Sequence, residues 1–444
     1  MKTKSKLLFE ICLTGAFALI ADITFCRCNL VAYPVPQRTK IIDNTKIEEE
    51  VVEIIEEPEP EPEPEKELTL LVYMAADNDL ESHALRNLKE MEHACFDNMN
   101  VLVLLDRCDA YDETNDNWTD TRLFEVLHDD TNGSTIVSKR LDCPPLGLTS
   151  SINTELDTGD YNVLKDFIEF AVTNYETDKY ALILWGHGTG WRYSLPEAAR
   201  AVAIDDKSNS YICVKNLGLA LEDFYFSAIG FDTCFGSVFE NLYELKESSQ
   251  FITASPGITP ARGWNYKKLL EKLGKSDFSS QTIAESMAES SLAQMSIIET
   301  ATLPSLMNAL EDFSEQLAAT ITTEKRRHDT LEILLNTKAY IYTEYPCDMY
   351  LDISAMAENY LSNKNSELAQ AALVLKEACR NQNIGLLLIP KINSFTLASG
   401  HSAAYIKNQD NLTQCSFIQE NRWWVPTKNG NSGSVLDKLF YTAF

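Results

Sequence analysis

Ala181-Leu-Ile-Leu-Trp-Gly-His-Gly-Thr189 and Ile229-Gly-Phe-Asp-Thr-Cys-Phe-Gly-Ser237 are the two stretches whose reading decides the fold. Each is a run of apolar residues followed at once by a reactive side chain and a glycine. The first run leads to His187 and the second to Cys234. A short apolar run with such an end reads as a buried strand. An α/β sheet presents its chemistry where such strands stop, at their carboxyl edge. The two reactive residues lie 47 positions apart, enough for a strand-to-strand crossover and too far for a local turn.

The pair has a chemical logic. A free cysteine near neutral pH is mostly thiol, whereas the thiolate is the nucleophile. An adjacent imidazole can take that proton and return it to a leaving group. Gly188 and Gly236 lack a Cβ and let a substrate come close to the backbone. The backbone N–H groups of Gly188 and Cys234 are the candidate oxyanion hole. On a strand, positions i and i+2 share a face, which points Asp232 toward the pocket beside Cys234. A carboxylate there would bind a substrate Arg or Lys by a charge-assisted hydrogen bond.

Leu70-Leu-Val-Tyr-Met-Ala-Ala-Asp-Asn-Asp-Leu-Glu81, Leu182 to Gly188, Ala203-Ile-Asp-Asp206, Gly230 to Gly236 and Gly263-Trp-Asn-Tyr266 follow one another in the order seen in the clostripain family of cysteine peptidases. The chain resembles that family over roughly residues 68 to 270. The Cys-x-Gly motif with a histidine about 50 residues upstream is also the caspase pattern. The resemblance implies a caspase-like α/β/α sandwich and a Cys–His dyad, with no third acid required. It implies a basic P1 preference served by Asp232, and self-cleavage between the His and Cys segments, here at Arg200-Ala201. The family's acidic run before Gly-Trp-x-Tyr is replaced by Ala254-Ser-Pro-Gly-Ile-Thr-Pro-Ala-Arg262. Arg262 puts positive charge where a second acid would sit, which weighs against strict Arg or Lys specificity.

The rest of the chain fits this frame. Residues 68–76, Val101 to Leu105, Thr121 to Val126, Tyr180 to Trp185, Ser227 to Phe231 and Phe251 to Ala254 read as strands. Residues 79–94, 160–176, 214–224 and 238–248 read as helices, the first capped by Asp77-Asn-Asp79. Strands alternating with helices imply a largely parallel sheet with helices on both faces. From about residue 271 the character turns mainly helical, as in the stripe Leu303, Leu306, Leu310, Phe313 and Leu317. Ile384 to Ile389 and Ser402 to Ile406 read as late strands. Residues 271–444 are therefore expected to be a C-terminal subdomain that packs on the sheet or extends it.

A net charge of −28 argues against nucleic acid or an anionic membrane surface as partner. Eleven Glu and one Lys lie in residues 47–67, so −10 of that charge is local. This alternating Glu-Pro stretch cannot bury apolar surface and stays extended, so residues 30–67 read as a semi-rigid tether. Residues 1–29 have the basic start and apolar core of an export signal. Cys26 sits where a bacterial lipoprotein would be cut and lipidated, although Phe25 is bulky for such a site. Export, with Cys26 lipidation as one form of anchoring, is the expectation; any membrane contact is through that anchor.

Of eleven Cys, three lie in the signal region, and the seven others besides Cys234 read as structural thiols. No Cys/His spacing suits zinc. Some relatives by resemblance respond to calcium; Asp77, Asp79, Asp205 and Asp206 are available carboxylates, but no EF-hand spacing occurs and no metal site is assigned. No cofactor is required. The expected activity is hydrolysis of protein or peptide substrates by a monomer, at basic P1 residues. The alternatives are a non-basic P1 preference on the same fold, or a non-catalytic surface-binding lipoprotein.

Overall fold

The computed structural model describes residues 66–94, 96–109, 111–131, 133–190, 202–341, 348–390 and 435–440. The described residues form one compact unit. The elements in order are β1 (Leu68–Ala76), α1 (Glu81–Glu92), β2 (Met99–Arg107), β3 (Thr121–Glu125), β4 (Lys139–Leu141), α2 (Tyr161–Asn174), β5 (Lys179–Trp185), β6 (Val202–Asp205), β7 (Ser210–Ile212) and α3 (Val214–Leu221). Then come β8 (Phe226–Asp232), α4 (Phe239–Glu244), β9 (Ser249–Ala254), α5 (Tyr266–Leu273), α6 (Ser280–Ser290), β10 (Ser296–Glu299), α7 (Leu303–Thr320) and α8 (Glu324–Leu335). The last are β11 (Ala339–Ile341), β12 (Asp348–Asp352), α9 (Ile353–Glu358), α10 (Ser366–Ala378), β13 (Gly385–Pro390) and α11 (Val435–Phe440).

Eight strands form one sheet in the order β10-β9-β8-β5-β1-β2-β3-β4. The inner five pair in parallel, and β10, β3 and β4 run antiparallel at the edges. The central strands are mostly apolar, as strands covered on both faces are. Along β1, Leu71, Tyr73 and Ala75 enter one core with α2 and α3, while Leu70, Val72 and Met74 enter a second core with α1, α5 and α6. The architecture is the expected three-layer α/β/α sandwich around a largely parallel sheet.

Short and edge elements depart from expectation. β4, β7, β10 and β11 are only three or four residues long, and sequence alone does not mark them. The stretch after residue 271 is not purely helical: β10 extends the main sheet, and β11, β12 and β13 form a small antiparallel sheet. Both outcomes, packing and extension, occur in one polypeptide. Asp77-Asn-Asp79 does not cap α1 through an aspartate. The N-cap position is Leu80, without a side-chain cap, and Asn78 Oδ1 accepts from the Leu80 N–H at 3.0 Å. Ser402 to Ile406 lies outside the described residues. Among the described residues no helix is long and apolar enough to cross a membrane.

Candidate active site

β5 and β8 are neighbours in parallel register, with Trp185 opposite Asp232. His187 and Cys234 therefore leave the same edge of the sheet, two residues beyond adjacent strand ends. The two loops touch. A Cβ on Gly188 would fall 2.4 Å from the carbonyl oxygen of Cys234 and 2.7 Å from Thr233 Cβ, distances real Cβ atoms do not tolerate. Only glycine lets the histidine loop lie flat against the cysteine loop.

His187 is half-exposed, and its Nε2 lies 2.6 Å from Asp79 Oδ1. A carboxylate accepts, so Nε2 is the donor in this contact, and Nδ1 is the ring nitrogen that Asp79 does not engage. Asp79 arrives from the end of β1, on the other side of β5 from the cysteine. The sequence required no third acid; the structure supplies a carboxylate partner for the histidine.

Cys234 is partly buried. Its Sγ accepts from the Thr259 backbone N–H at 3.3 Å and lies 3.6 Å from Thr259 Oγ1. Phe235, the next residue, has φ +56°, a left-handed conformation that costs a non-glycine residue energy. Two hydrogen bonds from the turn hold it: Phe235 N–H to Gly257 O and Ser237 N–H to Ser255 O, each 2.9 Å. Residues 255–259 thus hold the nucleophile's turn from one side.

The other described cysteines are free thiols of a different kind. Burial pushes Cys143 up to about 11 and Cys379 up to about 12, and it raises Cys213 as well. Such thiols are inert at neutral pH. Among the described residues the structural role expected of these three fits their burial. Cys95, Cys347 and Cys415 lie outside the described residues.

Asp232 departs from the same-face expectation. β8 stops at Asp232, so strand alternation does not extend to Cys234. Asp232 is 4% exposed and faces the second core, where Oδ2 accepts from Trp264 N–H at 2.9 Å and Tyr266 Oη at 3.1 Å. Cys234 packs against the first core instead. Burial pushes the Asp232 carboxyl up to about 7, against the opposing pull of those two hydrogen bonds. Its Oδ1 is buried without a hydrogen-bond partner among the described residues. Arg262 is exposed, and its carbonyl accepts from Arg86 Nη2 and Asn87 Nδ2.

Arg200, Ala201 and Cys26 lie outside the described residues. Of the other histidines, His83 and His328 lie on α1 and α8, His93 follows α1 and His128 lies in a loop, with His83 near enough to Asp79 to feel its charge; His401 is outside the described residues.

Three buried carboxylates, Asp77, Asp106 and Asp205, converge within 4.8 Å of one another. Asp106 joins Asp77 and Asp205, the two of these that the sequence offers as available carboxylates. Its oxygens accept from Thr121 Oγ1 at 2.7 Å and Thr158 Oγ1 at 2.9 Å. The oxygens of Asp205 accept from Ser208 N–H at 2.7 Å and Thr158 N–H at 3.1 Å. Burial first, then the neighbouring Asp205, pushes Asp77 up to about 7, and burial raises Asp106 too. Calcium takes six to eight oxygen ligands. Each of these oxygens keeps a lone pair beyond the donor named, so the hydrogen bonds do not bar a cation, and these three carboxylates are the group that could hold one among the described residues.

Three contributors escaped sequence reading: Asp79, Thr259 and Tyr350. Tyr350 Oη donates to Thr189 O at 2.7 Å, and its ring lies 5.5 Å from that of Phe235. Asp79 was visible, but in a motif that more often caps a helix.

A family model described as the clostripain family matches residues 72–417. Clostripain of Hathewaya histolytica is 29% identical over 225 residues, covering 46% of this chain and 42% of clostripain. The match thus spans less than half the length of that relative. An inactive zymogen C11 protease from Parabacteroides distasonis superposes with a TM-score of 0.55 at 18% identity, over 81% of this chain and 99% of that one. A secreted C11 cysteine protease from Bacteroides thetaiotaomicron, solved with an irreversible peptide inhibitor, gives 0.54 at 18% identity, over 79% and 99%. At such identities these two structures establish the shared fold.

Proposed function

The chain belongs to the clostripain family, and from that premise we propose that it is an exported cysteine endopeptidase acting through His187 and Cys234. The observation that carries the reading is the contact between the two loops, where Gly188 lies against the Cys234 carbonyl at the end of adjacent strands. His187 Nδ1 takes the thiol proton, and Sγ attacks the scissile carbonyl carbon. The resulting oxyanion is held by the Gly188 and Cys234 N–H groups. Beyond Cys234 the Phe235 and Ser237 amides are already taken by Gly257 O and Ser255 O. His187 then protonates the leaving amine, and a thioester remains. Water, deprotonated by His187, attacks the thioester, releasing the acid product and restoring the thiol. Asp79 holds the imidazole in the tautomer this sequence of steps needs.

Asp232 is the proposed P1 acid. Its support is the family resemblance together with the buried Oδ1, which has no partner among the described residues and would accept from a Lys or Arg side chain that enters from the second-core side of β8, not from the face of Cys234. The second reading, a non-basic P1, is favoured by the burial of this carboxyl, which pushes it up to about 7 and makes an ion there costly. Self-activation by cleavage at Arg200-Ala201 is proposed on the family resemblance, alongside a relative described as an inactive zymogen. Export is proposed from the N-terminal pattern, alongside a relative described as secreted; Cys26 is the proposed lipidation site. The chain is proposed to act as a monomer on protein and peptide substrates.

A peptide carrying a thiol-directed electrophile and Arg or Lys at P1 tests the reading. One equivalent should attach, and peptide mapping should place it on Cys234. Attachment elsewhere, or none in a folded chain, would count against it.

A further inference from the structure

We propose that Tyr350 is a positioning residue that fixes the histidine loop against the cysteine loop, so that the C-terminal part of the chain completes the active centre. The inference rests on the dyad reading above.

Tyr350 belongs to β12, in the small antiparallel sheet, 116 positions beyond Cys234 in the sequence. It is fully buried. Its hydroxyl donates to the carbonyl of Thr189, two residues past His187, at 2.7 Å. Its ring packs on Phe235, the residue after Cys234, with centroids 5.5 Å apart. A single rigid side chain therefore touches both loops, each within two residues of a reactive group.

The surroundings are shaped to this side chain. A Cβ on Gly190 would fall 2.7 Å from Tyr350 Oη and 3.1 Å from Phe235 Cβ. Gly190 has φ +68°, so neither its space nor its backbone suits another residue. Phe235 itself is held at a strained φ, and strain of that kind persists only when the packing around it over-determines the turn.

The sheet that carries Tyr350 is tied to the same turn by its backbone. Gly385 N–H donates to Ser237 O at 2.9 Å, and Val238 bridges Gly385 in parallel. Ser237 Oγ donates to Asn383 O at 3.0 Å. The turn bearing Cys234 is thus gripped from one side by residues 255–257 and from the other by β13 and Tyr350. Misplacing a catalytic group by about 1 Å can cost on the order of a hundredfold in rate. A clamp between the loops is the part of the fold that prevents such a shift.

The test uses the full chain with Tyr350→Phe, Tyr350→Ala and Cys234→Ala. Hydrolysis of fluorogenic peptides varied at P1, alkylation of Cys234 by iodoacetamide and thermal melting are measured on each. Tyr350→Phe keeps the ring on Phe235 and loses the bond to Thr189. It should lower kcat roughly tenfold, leave KM within about twofold and lower melting by no more than a few degrees. Tyr350→Ala should lower kcat further and also slow Cys234 alkylation. Wild-type kcat in Tyr350→Phe, or a loss that tracks a fall in melting temperature or appears only in KM, would overturn the clamp. If the wild-type chain hydrolyses nothing, the dyad reading fails. Alkylation then decides the clamp: unchanged labelling in Tyr350→Ala, read well below its melting temperature, overturns it, and slowed labelling there supports it.

Discussion

His187 Nε2 lies 2.6 Å from Asp79 Oδ1, and the two residues are separated by 108 positions. The strand order explains how they meet. β1 lies between β5 and β2, so its carboxyl end delivers Asp79 beside the end of β5. Both side chains are substantially solvent-exposed, so the contact matters for orientation more than for stability. Asp79→Ala should leave melting within about 0.5 kcal/mol of wild type. It should lower kcat roughly 10- to 100-fold with little change in KM. Nitrogen chemical shifts of the His187 ring should show the proton on Nε2 in the wild type and a mixed tautomer in the variant.

Gly188→Ala is the sharpest steric test. The added Cβ would meet the Cys234 carbonyl oxygen at 2.4 Å and Thr233 at 2.7 Å. Neither is the free end of a flexible side chain, so one loop must move away. Peptide hydrolysis should fall at least a hundredfold, while overpacking costs about 1–3 kcal/mol of stability. Activity near wild type would mean that the loops do not need this approach.

Asp232→Asn tests both specificity and a pH effect. Burial raises this carboxyl to about 7 in the folded chain, above its ordinary unfolded value near 4. The folded state therefore holds the proton more tightly than the unfolded state. Ionising it costs the fold stability progressively as pH rises from about 4 to about 7, and the full cost stands above that. The Asn variant should escape the cost, gaining on the order of 2–4 kcal/mol at pH 8 with the gain fading by about pH 4. Denaturant melts at several pH values read this directly. The same variant should lose any preference for basic P1 residues.

Thiol labelling separates the cysteines. At pH 7 iodoacetamide should modify Cys234 well before Cys143, Cys213 or Cys379, whose burial raises each thiol above its ordinary value. Peptide mapping over a time course gives the order. Faster labelling of Cys143 or Cys379 would mean that the core opens more readily than its packing implies.

Much of the fold was legible because buried parallel strands are continuous apolar runs. β1, β5 and β8 announce themselves by Leu, Val, Ile and Phe, and their ends announce the loops that follow. The three- and four-residue strands carry too few residues for any period to show, which hid β4, β7, β10 and β11. Local rules also misled at two points. Asp77-Asn-Asp79 has the composition of a helix cap, yet Asn78 holds the turn and Asp79 is free to reach His187. Alternation along a strand was extended one turn too far, past the end of β8 at Asp232. Phe235 at φ +56° belongs to a tight turn, so Asp232 and Cys234 face different cores. Tyr350 lay beyond reach for another reason: nothing in the sequence near residue 350 states which loop, more than a hundred positions away, its hydroxyl will meet.

The central claim is that Cys234 is the nucleophile of a peptidase. The most direct measurement compares residues 30–444 with the same chain carrying Cys234→Ala, on fluorogenic peptides varied at P1, with melting curves of both. The account predicts turnover by the first, greatest after Arg or Lys, and none above background by the second at equal stability. Equal turnover by both chains, or none by either alongside a Cys234 that resists alkylation, would contradict it.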